Sequence, residues 1–172
     1  ASYRRFCQEG GRSLADLACF EAIQAGRNPE ARYWRDWTDW PSPAAAALAR
    51  FRRESRAQID FFRFAQWLAA ESLRAAQEKA LSAGMRIGLI ADLAVGMEPG
   101  GAQAWSCQSD LLVGLTIGAP PDLFNPRGQN WGLTTYAPGA LRRQFFAPFL
   151  STLRGALRNT GGVRIDHAMG LA

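Results

Sequence analysis

A glycine pair, Gly161-Gly162, leads into the stretch Val163-Arg164-Ile165-Asp166-His167. The two apolar residues of this stretch predict a short strand over 162–167. Three groups able to carry charge, Arg164, Asp166 and His167, then stand where the strand ends. In α/β barrels the reactive groups lie at the carboxyl ends of the strands. The stretch therefore predicts an α/β protein with its chemistry at this strand end.

Arg164 and Asp166 are two residues apart, so on an extended strand both side chains leave the same face. An arginine held beside a carboxylate keeps it ionised. An ionised, oriented carboxylate can act as a nucleophile on a sugar carbon. The alternative, on these residues alone, is a structural ion pair at a strand end.

Composition limits the classes of function. The chain has 172 residues, 48% of them hydrophobic, which suits one core and at most one ordinary domain. The formal charge is +5, but the nineteen Arg and single Lys79 are scattered, which disfavours nucleic-acid binding. No uncharged apolar run reaches the ~20 residues of a membrane span, and no signal peptide is recognisable.

Cysteine usage favours a reducing compartment. Cys7, Cys19 and Cys107 are an odd number without a CxxC spacing, so free thiols in a cytoplasmic protein are predicted. The sequence contains neither a His/Cys cluster nor a phosphate-binding Gly loop, so no metal or organic cofactor is indicated.

Residues 1–83 predict a helical subdomain. A first helix occupies 1–26, with Ser13 as a plausible N-cap and Gly26 at its end. The following segment holds Trp34, Trp37 and Trp40, which favours packing over a small core, with a sugar-stacking surface as the alternative.

A long helix is predicted from Ser42-Pro43 to Ala83, with a break near 53–58 and Gly84 as its C-cap. Its second half has one face whose members recur at spacings of three and four. These are Ile59, Phe62, Gln66, Ala69, Leu73, Ala76 and Ala80. Such a stripe predicts a face packed on the core.

Residues 84–172 predict two parallel strands with a long connection. The run 84–95 is nearly continuous in apolar residues, as in a strand buried on both faces, and carries Asp92 near its end. A loop region over 96–140 and a helix over 141–158 then lead to the strand over 162–167. Asp92 and Asp166 would therefore end consecutive strands of one βαβ unit.

The segment 118–132 combines a carboxylate, amides and two aromatic side chains on a backbone stiffened by prolines. Sugar sites need this mixture, because polar groups bind the hydroxyls and aromatic faces cover the apolar faces of the rings.

Three segments together resemble the amylomaltases, the 4-α-glucanotransferases also called disproportionating enzymes of glycoside hydrolase family 77. They are 84–96, 118–132 and Val163-Arg164-Ile165-Asp166-His167. The resemblance implies a (β/α)8 TIM barrel with helical insertions, here about strands three and four. It also implies transfer of α-1,4-glucan segments between maltooligosaccharide or glycogen-type acceptors, with retention of configuration.

The resemblance further implies roles for individual residues. Asp166 would be the nucleophile that forms the covalent glucosyl-enzyme, and Arg164 would orient it. Asp92 would lie near the donor sugar, and His167 would bind a sugar hydroxyl. A mobile loop over the active site would touch the substrate through four further side chains, those of Asp122, Phe124, Gln129 and Trp131.

Two features depart from the family pattern. Leu123 stands where some members carry an aromatic residue. The family's general acid, a Glu after barrel strand five, has no counterpart in the matched motifs, and neither has a third carboxylate. The chain is therefore expected to be an internal fragment that is inactive alone. Two arrangements would cover its strand edges and apolar faces: self-association, or the long helices bundled over the two strands. A non-catalytic carbohydrate-binding or interaction module is the alternative.

Overall fold

The computed structural model describes residues 2–27, 33–94, 96–112 and 114–166. Its elements in chain order are α1 (Ser2–Ala25), α2 (Ala47–Glu54), α3 (Arg56–Ser82), β1 (Ile90–Leu93), α4 (Ala102–Ser106), β2 (Ile117–Ala119), β3 (Gln129–Leu133), α5 (Pro138–Arg143), α6 (Ala147–Leu157) and β4 (Gly162–Ile165). Two compact units are present: residues 1–71 with 100–108, and residues 72–99 with 109–172. No helix of the described ranges is long and apolar enough to cross a membrane.

The core of the first unit is aromatic. Trp37 is almost fully buried, and its ring lies 5.1 Å from that of Phe20 and 6.3 Å from that of Trp105. The indole N–H of Trp105 donates to the carbonyl oxygen of Trp40 at 3.0 Å. Trp34 is buried as well, so core packing is confirmed for Trp34 and Trp37, and Trp40 is half-buried with its ring 4.9 Å from that of Phe51.

The first helix covers nearly the predicted range but contains a kink. Gly11 has φ 49° and ψ −137°, so two helical segments meet there, and Ser13 lies just after the kink. Glycine adopts such a conformation without the steric cost of a side chain. The face of α1 that follows is buried at Leu14, Ala18, Cys19, Ala22 and Ile23.

The long helix predicted from Ser42-Pro43 begins later than expected. The Ser42 carbonyl accepts the Ala45 N–H at 3.1 Å, which closes a separate turn, and α2 starts at Ala47. The predicted break is confirmed at Ser55, between α2 and α3. Gly84 follows α3 with φ +93°, as a helix-terminating glycine does.

The prediction that one face of α3 packs on a core is wrong for this chain. Ile59 is the one residue of α3 that is buried. Leu73, at the middle of the stripe, is 43% exposed, and Gln66, Ala69 and Ala76 are exposed too. The apolar face exists, but among the described residues little covers it.

In the second unit, β1 and β4 pair in parallel, with Ile90 opposite Gly162 and Leu93 opposite Ile165. Helix α6 packs against both strands. The parallel βαβ arrangement predicted for these strands is therefore present.

The first strand is much shorter than the predicted 84–95. Gly88 has φ +75°, outside the extended range. The side chain of Gln77 replaces a strand partner there: it donates to the carbonyl oxygen of Ile87 at 2.9 Å and accepts the N–H of Leu89 at 2.6 Å. The second strand ends at Ile165, two residues before the predicted end.

The region 96–140 is not loop throughout. It contains α4 and an antiparallel hairpin of β2 and β3, in which Ala119 is opposite Gln129. The single helix predicted over 141–158 is two helices, separated by Phe145 and Phe146 with φ 50° and 60°. Pro148 explains the split, because proline is suited to the first turn of a helix and not to its interior.

Candidate active site

The parallel register brings two predicted site residues together. Asp92 of β1 lies directly opposite Arg164 of β4, so their side chains leave the same face of the two-stranded sheet. The Arg164 Nε lies 2.7 Å from Asp92 Oδ1, and its Nη2 donates to Oδ2 at 2.8 Å. This is the bidentate geometry in which a planar guanidinium matches a carboxylate.

The pair lies at the carboxyl ends of both strands and is open to solvent. The side chains of Arg164 and Asp92 are 64% and 62% exposed. An exposed ion pair contributes little to folding, roughly 0–1 kcal/mol. The pair therefore contributes little to the stability of the fold. It lies at the strand ends, where α/β barrels hold their reactive groups.

Asp166 is the first residue after β4 and is exposed. It follows Arg164 by two positions at the same strand end. The prediction that both side chains share one face, with Arg164 orienting Asp166, stays a prediction. His167 lies outside the described residues.

Asp122 shapes the tip of the β2–β3 hairpin. Its Oδ1 accepts the backbone N–H groups of Phe124 at 2.8 Å and Asn125 at 2.6 Å. A carboxylate that binds the N–H groups two and three residues on fixes a turn. The side chains of Leu123 and Phe124 are 96% and 91% exposed at this tip. Asp122 therefore has a structural role besides any contact with substrate.

Gln129 and Trp131 lie two residues apart on β3 and are joined directly. The indole N–H of Trp131 donates to Gln129 Oε1 at 3.1 Å. An exposed amide is thus held beside a half-buried ring, an arrangement that offers a hydrogen-bonding group and an apolar face to one ligand.

Sequence reasoning missed Gln77, which binds the backbone just before β1 through both ends of its amide. The sequence signal for Gln77 was a polar residue near the end of α3, a few residues ahead of a glycine-containing turn.

A cation site is not formed in the described part of the chain: no group of three or more His, Cys, Asp or Glu side chains there could hold a metal ion.

A parallel strand pair with charged residues at its carboxyl ends has the arrangement in which α/β-barrel enzymes hold their active sites. The family model described as 4-alpha-glucanotransferase matches residues 1–172. The chain belongs to this family, glycoside hydrolase family 77.

Known relatives agree with that assignment. The 4-alpha-glucanotransferase of Mycobacterium tuberculosis is 42% identical over 174 residues, which cover 99% of this chain and 23% of that protein. The 4-alpha-glucanotransferase of Haemophilus influenzae is 40% identical over 139 residues, covering 80% of this chain and 20% of that protein. The chain thus spans about a quarter or less of the length of these curated relatives.

Solved structures show the same fold. The amylomaltase of Corynebacterium glutamicum superposes with a TM-score of 0.77 at 35% identity, over 99% of this chain and 22% of that one. The amylomaltase of Streptococcus agalactiae, solved in complex with acarbose, superposes with a TM-score of 0.84 at 23% identity, over 99% of this chain and 35% of that one. The prediction of an amylomaltase-type α/β fold is confirmed.

Proposed function

We propose that the protein is a 4-α-glucanotransferase that moves α-1,4-glucan segments between maltooligosaccharide acceptors through a glucosyl-Asp166 intermediate. One observation carries the proposal. Asp92 and Arg164 form a bidentate ion pair in register at the carboxyl ends of parallel strands, and Asp166 follows the same strand end. Membership of the family supports the choice of substrate class.

The proposed reaction is a double displacement. An oxygen of the Asp166 carboxylate attacks the anomeric carbon, and the bond from that carbon to the glycosidic oxygen breaks. The leaving glucan takes a proton from a general acid. A hydroxyl of the acceptor glucan then attacks the same carbon, releases Asp166 and gives its proton back to that group. Two inversions retain the configuration.

The remaining residues are assigned to binding. The Asp92 carboxylate, fixed by Arg164, has lone pairs left to accept hydrogen bonds from hydroxyls of the donor sugar. Trp131 with Gln129, and Phe124 at the hairpin tip, are assigned to the bound glucan, together with Asp122. His167 is assigned to a sugar hydroxyl from the sequence resemblance alone.

A retaining mechanism needs a second carboxyl group about 5–5.5 Å from the nucleophile. We place that general acid outside the motifs of this chain, in the full-length protein. In this proposal, residues 1–83 are a helical insertion subdomain and residues 84–172 are a partial barrel with strands three and four. The 172 residues alone would then be inactive, and size-exclusion chromatography of that chain would test whether it self-associates.

The test uses the full-length protein with maltotriose, and the release of glucose and longer glucans is measured. Asp166→Ala should reduce transfer by several orders of magnitude, as loss of a nucleophile does. A matched control is Asp39→Asn, which removes an exposed carboxylate of the first unit and should leave transfer unchanged.

A second readout separates an enzyme from a non-catalytic glucan-binding module. Acid-quenched protein should carry a hexosyl mass increment on the peptide that contains Asp166, and Asp166→Ala should lose it. Unchanged transfer in Asp166→Ala would refute the proposal. Glucan binding without turnover in the unsubstituted full-length protein would favour the binding module.

A further inference from the structure

A cavity of about 90 Å³, open to solvent, lies in the first unit between three helices. Its lining is Ala15 and Cys19 of α1, Arg52 of α2, and Arg56, Ile59 and Arg63 of α3. Arg52 and Arg56 at the edge of the cavity are exposed, and Arg63 is half-buried. Water needs only about 10–15 Å³ of such space. The cavity is therefore large enough for a polyatomic ligand, and half of its lining side chains are arginines.

The sequence explains why the arginines converge. Arg56, Ile59 and Arg63 follow one another by three and four residues, so they share one face of α3. Arg52 lies in the last turn of α2, just before the break at Ser55. The break lets the two helices present guanidinium groups to the same cavity.

The cationic charge at the cavity exceeds the anionic charge. Arg52 Nη2 donates to Asp16 Oδ1 at 3.0 Å, and Arg12 Nε donates to the other oxygen of Asp16 at 3.3 Å. Within the ranges that the structure describes, Arg56 and Arg63 form no hydrogen bond or ion pair. Among the described residues, one buried carboxylate, that of Asp16, opposes the three guanidinium groups of the lining.

Cys19 does not supply a counter-charge. Its side chain is buried, and burial raises the pKa of this thiol, although the nearby Arg52 acts in the opposite direction. The thiol therefore lines the cavity in its neutral form, as a small group with a weak S–H donor.

We propose that this cavity binds a phosphoryl oxyanion. Guanidinium forks match the oxygens of phosphate and carboxylate groups better than other side chains do. Three guanidinium groups from two helices fit a tetrahedral anion, which has at least three terminal oxygens, better than a planar carboxylate with two. The anion is either inorganic phosphate or the phosphate group of a sugar phosphate, because both present the same oxygens.

The residues that line this site belong to the first unit, and none of them is proposed for glucan transfer. Binding is therefore measured by isothermal titration calorimetry on full-length protein with the Asp166→Ala substitution, which turns over no substrate. The probes are inorganic phosphate, glucose 6-phosphate and acetate, each against chloride at matched ionic strength.

Inorganic phosphate should bind, and Arg63→Gln should raise its dissociation constant about tenfold or more, since a hydrogen bond to a charged group is lost. Arg53→Gln is the matched control, because Arg53 lies on α2 beside Arg52 and does not line the cavity. Arg53→Gln removes the same charge and should change the dissociation constant of phosphate less than about twofold. Neither Arg63 nor Arg53 has a hydrogen-bond or ion-pair partner among the described residues, so both variants should unfold at the same temperature without phosphate.

Saturating phosphate should raise the unfolding temperature of the parent protein and of Arg53→Gln, and should affect Arg63→Gln much less. Tighter binding of glucose 6-phosphate than of phosphate would support the site and identify a sugar phosphate as its ligand. Equal or weaker binding would support free phosphate. Three results would overturn the proposal: no binding above chloride, equal weakening by Arg53→Gln, or acetate binding as tight as phosphate.

Discussion

Substitution of Gly161 by alanine tests how the candidate site is held together. Gly161 precedes β4, and its N–H donates to the carbonyl oxygen of Leu89 at 2.9 Å. A Cβ at this position would overlap the carbonyl oxygen of Ile87, and it would lie 2.9 Å from the carbon of that carbonyl and 3.1 Å from Ile87 Cγ2. The overlapping atom belongs to backbone, so it cannot rotate away.

The magnitude follows from those contacts. Overpacking of this kind costs about 1–3 kcal/mol. If the strand moves away, the hydrogen bond to Leu89 is lost as well, which costs a further ~0.5–1.5 kcal/mol. With both contributions, the free energy of unfolding should fall by about 1.5–4.5 kcal/mol. The strand would also carry Arg164 out of register with Asp92, so transferase activity should fall with it.

The full-length protein is unfolded in urea, and tryptophan fluorescence monitors the transition. Gly155→Ala is the matched control, because a Cβ there meets nothing within 4 Å and the residue lies inside α6. Alanine in a helix is favoured over glycine by roughly 0.5–1 kcal/mol, so the control should be more stable. Equal effects of the two substitutions would refute the close approach of Gly161 to Ile87.

Three further predictions concern single contacts. Gln77→Ala removes two hydrogen bonds before β1 and should lower the free energy of unfolding by about 1–3 kcal/mol. The control Gln66→Ala, at an exposed position of the same helix, should lower it by less than ~0.5 kcal/mol. Equal losses would contradict the role of Gln77 in holding the backbone before β1. Asp92→Asn should change that free energy by less than ~1 kcal/mol but reduce maltotriose transfer about 100-fold or more; retained transfer would remove Asp92 from the site. Burial, and the hydrogen bond that the hydroxyl donates to Asp60, raise the pKa of Tyr3. The folded state then holds this proton more tightly than the unfolded state, so stability should fall as pH rises above ~10. In Tyr3→Phe, the free energy of unfolding from urea titrations should fall less steeply with pH. An unchanged dependence on pH would exclude Tyr3 as the cause of the fall.

Several features could be read from the sequence because each has a local cause. Gly84 ends α3 with a positive φ, and the break before α3 falls inside the predicted window. The pairing of Asp92 with Arg164 was also within reach, since consecutive parallel strands bring their carboxyl ends to one edge. The sequence spacing favoured a partner of Arg164 two residues further along the chain, Asp166, and that pairing stays a prediction.

Element boundaries were harder to predict, because they depend on contacts distant in sequence or on one backbone conformation. The start of β1 depends on Gln77, which lies on another element and takes the place of a strand partner for Leu89. The gap between α5 and α6 requires two consecutive residues, Phe145 and Phe146, in the left-handed region. Phenylalanine is rarely found there, so these two residues gave no warning of the break. Pro148 was the available signal, because proline suits the first turn of a helix and not its interior.

The exposed stripe on α3 shows what the periodicity of a sequence predicts and what it does not predict. Spacings of three and four identify which face of a helix is apolar, and that inference needs no tertiary structure. Whether the face is buried depends on a second surface, and sequence spacing carries no information on where that surface lies. The strands behave in the same way: Ile90 is 58% exposed and Ile165 is 44% exposed, although both lie in apolar runs. A pattern typical of a core is therefore a statement about the apolar face alone, and its burial has to be established from the surfaces that contact it.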